Sequence, residues 1–227
     1  MKKLFTIFSV VLLAASVSSC KFVRINMPKG VVVGGENEVS KSYEFDQLNA
    51  LDIRVPADIH YTQNEDAPVV HVLGSEEAVE ALDVCDEDGV LVIDSEKALL
   101  NSRLDIVINS SDLKSVTISG AGDFEALSGI CTDSFSLEVK GAGDILLNGV
   151  TAESVSLTVK GAGDLDVNSV ECQNLSILIQ GAGDITVTGK TDKADMLIQG
   201  AGDIDAYGLE FNTINKAVQG TGKIGIM

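Results

Sequence analysis

Five aspartates recur at nearly constant spacing in the second half of the chain, each closing a Gly-Ala-Gly-Asp tetrapeptide: Asp123, Asp144, Asp164, Asp184 and Asp203. The tetrapeptides begin at Gly120, Gly141, Gly161, Gly181 and Gly200, with second glycines at Gly122, Gly143, Gly163, Gly183 and Gly202. A sixth copy degenerates to Gly220-Thr221-Gly222-Lys223, and the steps between copies are 21, 20, 20, 19 and 20 residues. Carboxylates placed once per repeat have three chemistries open to them. They accept hydrogen bonds from turn backbone, as Asp often does; they pair with Lys140 and Lys160, whose place Gln180, Gln199 and Gln219 take in later copies; or they bind Ca²⁺. Like charges one repeat apart repel, so one of these must offset them. The calcium-binding nonapeptide pattern is Gly-Gly-x-Gly-x-Asp, and one carboxylate per repeat falls short of the roughly six to eight oxygens Ca²⁺ takes. No metal is expected.

Other residue sets offer less. His60 and His71 are the only histidines, and both fall on presumptive strands, where they read as surface residues. No Gly-x-Ser-x-Gly is present and no Ser/His/Asp set is singled out by spacing, so neither a catalytic residue nor a cofactor is expected. Cys131 and Cys172 occupy nearly the same repeat position two repeats apart, roughly 10 Å when stacked, which is too far for a disulfide. They are expected to be unpaired and sheltered. With 16 Lys+Arg against 34 Asp+Glu the formal charge is −18, which excludes a nucleic-acid partner because phosphate binding needs clustered basic residues. The lack of Trp and the mere three Tyr argue against a sugar groove lined with stacking aromatics.

Holding five carboxylates in line requires a repeating scaffold. Apolar residues alternate with polar ones on both sides of each tetrapeptide, the period of a half-buried strand and not of a helix. After the corner the inward columns read Phe124, Ile145, Leu165, Ile185, Ile204, Ile224 and then Ala126, Leu147, Val167, Val187, Ala206, Ile226. Before the next corner they read Phe135, Val155, Leu175, Ala194, Ile214, then Leu137, Leu157, Ile177, Met196, and last Val139, Val159, Ile179, Ile198, Val218. One such unit cannot bury its apolar face alone, but units stacked at about 4.8 Å make parallel sheets around a dry core. The expected fold is all-β: a single-chain, right-handed parallel β-helix (β-solenoid) of 20-residue coils, two strands to a coil, with one short helix in the N-terminal half. Glycine is expected at the corners for its positive φ, and Lys216, which interrupts a column, is expected to cap the final coil.

Residues 39–119 show no clean repeat but carry short alternating strands at 51–55, 58–61, 69–72, 90–93, 104–108 and 116–118. A helix over Glu76 to Leu82 is capped by Ser75, with Glu76 and Glu77 in its first turn. This part reads as β-structure closing the N-terminal end of the 120–227 solenoid. Upstream, Met1-Lys2-Lys3 and the apolar run Leu4 to Val17 have the form of a secretory signal. Ser16-Val17-Ser18-Ser19-Cys20 resembles a bacterial lipobox, with Val17 where Leu is usual. Residues 1–19 therefore read as a lipoprotein signal peptide, Cys20 as the lipidation site and 20–38 as a tether bearing Lys21, Arg24 and Lys29. By resemblance to lipoprotein sorting, the lack of Asp after Cys20 favours the outer membrane.

From Lys41 to Met227 the chain resembles the head GIN domain family, described as putative autotransporter adhesins of Gram-negative envelopes. The likeness is carried by Phe45, Leu51-Asp52-Ile53, the stretch Asp58-Ile59-His60-Tyr61-Thr62-Gln63, the short acidic helix, Asp88-Gly89-Val90-Leu91-Val92-Ile93 and Ser119-Gly120-Ala121-Gly122-Asp123. The resemblance implies a pectin-lyase-type β-helix without that group's catalytic residues, and no family active-site residue carries over. The expected function is a non-enzymatic, lipid-anchored envelope module that binds a macromolecule, protein or glycan, in adhesion. Two readings stand beside it. One is an enzyme acting on acidic polysaccharide, which needs clustered carboxylates beside an Arg or Lys; the other is an architectural protein self-associating through its C-terminal edge at Ile224 and Ile226.

Overall fold

The structure, a computed structural model, describes residues 14–16, 31–35, 37–100 and 102–227; Cys20 and the other residues of 1–13 and 17–30 lie outside the described residues. In chain order β1 (Ala14–Ser16), β2 (Val31–Val33), β3 (Glu38–Glu44), β4 (Ala50–Ile53), β5 (Asp58–Gln63) and β6 (Val69–Ser75) lead to the helix α1 (Glu76–Glu80). Next come β7 (Leu82–Glu87), β8 (Val90–Ser95), β9 (Ala98–Leu100), β10 (Leu104–Ser110) and β11 (Ser115–Ile118). The repeats supply β12 (Phe124–Ala126), β13 (Ile130–Cys131), β14 (Ser134–Val139), β15 (Ile145–Leu147), β16 (Val150–Thr151) and β17 (Ser154–Val159). In the last coils the strands run on through the bends as β18 (Leu165–Ile179), β19 (Ile185–Ile198), β20 (Ile204–Val218) and β21 (Ile224–Ile226).

These strands build a parallel β-solenoid of about six turns with 20-residue coils. Register follows the repeat: Phe124 lies beside Ile145, then Leu165, Ile185, Ile204 and Ile224. The inward columns are sealed before the last coil, from Phe124 at 1% exposure to Ile185 and Ile198 at 0%, and open there, where Ile214, Ile224 and Ile226 are only half-buried and Val218 is exposed. Each aliphatic side chain buried in this way contributes about 1.5–3 kcal/mol. A coil carries three strand segments, not two. Ile130, Val150, Val170 and Leu209 form a further buried column on a middle segment that is only two residues long in the early coils, too short to show alternation in the sequence. The 19-residue coil drops one residue here. Gly189 stands opposite Val170 with φ 122°, where a Cβ would collide with the Val170 backbone, and the neighbouring Thr191 is buried with its hydroxyl donating to the Lys193 carbonyl at 3.1 Å.

The N-terminal half continues the stack out of chain order. β4 lies between β8 and β11, and β5 lies between β10 and β12, all parallel. The coil made by residues 50–63 is therefore sandwiched between one formed later by 90–110 and the first repeat coil. Antiparallel strands close the end: β6 runs against β10 and β3 against β6, while β7 runs against β8. α1 covers this cap, with Ala78 and Val79 buried and the Ser75 hydroxyl accepting from the Ala78 N–H at 3.4 Å. It stops two residues short of the expected Leu82, which already belongs to β7. Val31–Val33, inside the segment read as tether, pairs in parallel with Ala98–Leu100.

Candidate functional site

Each corner places its Asp on the outside, between two coils, and its main chain and side chain face opposite neighbours. The Asp144 carbonyl accepts from the Phe124 N–H of the coil before at 3.0 Å, while its Oδ1 accepts from the Asp164 N–H of the coil after at 3.2 Å. The same side-chain bond joins Asp123 to the Asp144 N–H at 2.9 Å, Asp164 to Asp184 at 2.8 Å and Asp184 to Asp203 at 2.7 Å. Asp203 then accepts from the Lys223 N–H at 2.7 Å. Backbone donors therefore offset the repulsion down the column, since a carboxylate accepting N–H bonds gains charge-assisted stabilisation. The column also begins earlier than the repeat shows, because Asp58 accepts from the Asp123 N–H at 3.4 Å. Val55-Pro56-Ala57-Asp58 is a corner without glycine, stacked beneath Gly120-Ala121-Gly122-Asp123.

One expectation about this corner is corrected, and one of the three chemistries open to its aspartates falls away. Positive φ is not the reason for its glycines: among the described residues only Asp88, Gly89 and Gly189 have it. What excludes a side chain is close approach. A Cβ on Gly141 would overlap the Gly120 carbonyl oxygen, one on Gly143 the Gly122 oxygen, and the pattern repeats through Gly161, Gly163, Gly181, Gly183, Gly200 and Gly202. The Asp column does not pair with Lys140 and Lys160 either. Both ammonium groups go to Glu138, Lys140 at 2.9 Å and Lys160 closer still, and Lys160 first, then Lys140, holds the Glu138 carboxyl below its ordinary range. Further along the same line Gln180, Gln199 and Gln219 form an amide ladder at 2.8 and 3.1 Å. Each of the two has its own cause: coils at 4.8 Å spacing leave no room for a side chain at the corner, and the residue before the first glycine points to the neighbouring face.

Beside the Asp column runs a second outward line, two residues on: His60, Glu125, Leu146, Asp166, Thr186 and Asp205. Between the two lines lies an open trough of about 470 Å³ lined by Asp58, His60, Asp123, Glu125, Asp144, Asp164 and Asp166 with backbone and aliphatic neighbours. It continues as a hollow of about 310 Å³ at Asp184, Asp203, Asp205, Tyr207 and Lys223. Glu125, Asp166 and Asp205 supply charge to the trough without bonding the next coil's backbone. His60 Nδ1 lies 3.5 Å from Glu125 Oε2. His71 is on β6 with its Nδ1 at 2.8 Å from the Ser42 hydroxyl. No group of three or more His, Cys, Asp or Glu is gathered for a metal ion among the described residues.

A different face carries an in-register line of Ser136, Ser156 and Ser176 that continues into Asp195 and Asn215. Lys193, then Asn215, holds the exposed Asp195 carboxyl low. Of the cysteines, Cys172 is half-buried with its thiol pushed up by burial, while Cys131 is exposed and not sheltered as expected, because position 131 points out of its two-residue strand. Neither forms a disulfide.

The family model described as "Putative auto-transporter adhesin, head GIN domain" matches residues 47–227. A crystal structure of a putative adhesin from Parabacteroides merdae ATCC 43184 matches with TM-score 0.81 at 25% identity, over 86% of this chain and 83% of that one. A putative adhesin from Parabacteroides distasonis ATCC 8503 matches at TM-score 0.81 and 24% identity, over 86% and 84%. A structure from the same organism described as a putative lipid binding protein matches at TM-score 0.77 and 20% identity, over 87% and 99%. No curated protein matches the chain in sequence.

Proposed function

Because the chain belongs to the head GIN domain family, we propose that it is a non-enzymatic binding module of the cell envelope, held there by a lipid on Cys20 and engaging a macromolecular partner in adhesion. Among the described residues no helix is long and apolar enough to cross a membrane. The observation that carries the reading is the trough: a rigid, open channel along the coils, its carboxylates fixed at one coil spacing by the Asp-to-backbone ladder. A channel of this shape suits an extended segment, protein or glycan, and its charge favours one that presents basic groups.

Binding of the purified chain to basic, neutral and acidic polymers at two salt concentrations tests this. Affinity for the basic polymer is expected to fall with salt. Replacing Glu125→Gln, Asp166→Asn and Asp205→Asn together should weaken it roughly tenfold, at about 0.5 kcal/mol per charge, with an unchanged melting temperature. Binding indifferent to the triple replacement would sink the reading. The enzyme alternative draws on Lys223 beside Asp203 and Asp205, and turnover of a uronate polymer, abolished by Lys223→Ala, would establish it. Self-association draws on the last coil, where Val218 is 45% exposed although its counterpart Ile198 is fully buried. A monomer mass by light scattering at high concentration rules it out.

A further inference from the structure

The first described strand after Cys20 lies in the cap. Val31–Val33 runs beside β9, with Val32 in the core and the Gly34 N–H donating to the Leu100 carbonyl at 3.2 Å. The Glu76 N–H at the start of α1 then donates to the Asn37 carbonyl at 3.0 Å. The chain is thus fixed to the cap from Val31 onward, at the end of the stack opposite β20 and β21.

We propose that the solenoid stands on this cap at a lipid bilayer, with the coil from Ile204 to Ile226 as its distal tip. The inference rests on the anchor at Cys20. From Cys20 to Val31 the chain can reach no more than about 40 Å. The stack β8, β4, β11, β14, β17, β18, β19, β20 adds about 34 Å at 4.8 Å per step. In this orientation the terminal coil stands farther from the anchor than the cap by nearly the length of the solenoid. Lys21, Arg24 and Lys29 favour an anionic headgroup layer. Glu76, Glu77 and Glu80, exposed on α1, are repelled by the same layer, so the cap stands off the surface and does not insert. The acidic trough then runs away from the membrane, with its Asp203 and Lys223 end outermost.

The test uses the full chain in isolated membranes, with Cys131→Ser and Cys172→Ser removing accessible thiols and a fluorophore attached at Glu80→Cys or at Thr213→Cys. Energy transfer to a headgroup-labelled lipid is expected to be at least about twofold stronger from position 80 than from position 213, given the length of the stack between them. Equal or reversed transfer, with Cys20→Ala still releasing the chain from the membrane, overturns the orientation and leaves the anchor standing. Membrane association that survives Cys20→Ala overturns the anchor and the orientation with it.

Discussion

Gly161 and Ala162 sit side by side at one corner and face opposite constraints. A Cβ on Gly161 would overlap the Gly141 carbonyl oxygen, while the Ala162 side chain is exposed. Gly161→Ala should therefore cost about 3 kcal/mol, at the upper end for overpacking, and Ala162→Ser less than about 0.5 kcal/mol; urea midpoints of the two variants check this. Asp164→Ala removes the acceptor for the Asp184 N–H and should cost about 1–2 kcal/mol. Tyr61 and Glu138 bring pH dependence of opposite sign. Tyr61 is fully buried beside the Ser110 hydroxyl, and burial pushes its phenol up to about 12. A raised folded value means that stability is intact below the unfolded value near 10 and is lost as pH climbs from about 10 to 12. Tyr61→Phe should flatten the alkaline limb of a stability-versus-pH curve. Glu138 has the opposite sign. Its depressed carboxyl contributes above the ordinary value of 4.5 and is lost as pH falls below it. Glu138→Gln should remove that acid-side slope and cost no more than about 1 kcal/mol at neutral pH, because the pair is partly solvated.

Strands that pair within the repeat were legible in the sequence, whereas those that depend on a crossing were not. The inward columns follow from alternation plus a fixed period, and both survive in the register from Phe124 to Ile224. The coil of residues 50–63 shares neither the glycines nor the spacing, since Val55 and Ala57 stand where Gly120 and Gly122 do. Nothing local tells that the chain will place residues 90–110 beneath it before returning above. Gln63 marks the crossing. Where a middle strand segment would continue this coil the chain departs, and the Gln63 side-chain amide replaces that segment: its Oε1 accepts from the Cys131 N–H at 2.7 Å and its Nε2 donates to the Cys131 carbonyl at 2.8 Å. Gln63→Ala should cost about 1 kcal/mol and raise hydrogen exchange at the Cys131 amide, whereas Gln63→Glu, which keeps the acceptor but not the donor, should fall between. The acidic trough escaped the sequence for a related reason. Its second line, from His60 through Glu125 and Asp166 to Asp205, alternates chemistry from coil to coil, so only the stacked register reveals it as one surface.

At the scale of the molecule the two halves carry different kinds of information, and a deletion separates them. In the repeats every coil touches only its neighbours, so stability is close to a sum of coil and interface contributions. Removing residues 141–160 joins Lys140 to Gly161, brings Asp123 under the Asp164 N–H and lets Leu165 take the place of Ile145 above Phe124. Such a chain should fold cooperatively, with a moderately lower melting temperature and a long axis shorter by about 4.8 Å in small-angle scattering. Removing residues 50–63 takes out a coil of similar size with the opposite result. β8 and β10 would lose the parallel partners that join them to β11 and β12, leaving the cap and the solenoid without a common sheet. That chain should show no cooperative transition. If the two deletions behaved alike, the interleaved coil would be one repeat among others; if only the second abolished folding, the out-of-order stack would be the element that commits the cap to the solenoid and fixes the end from which the repeats extend.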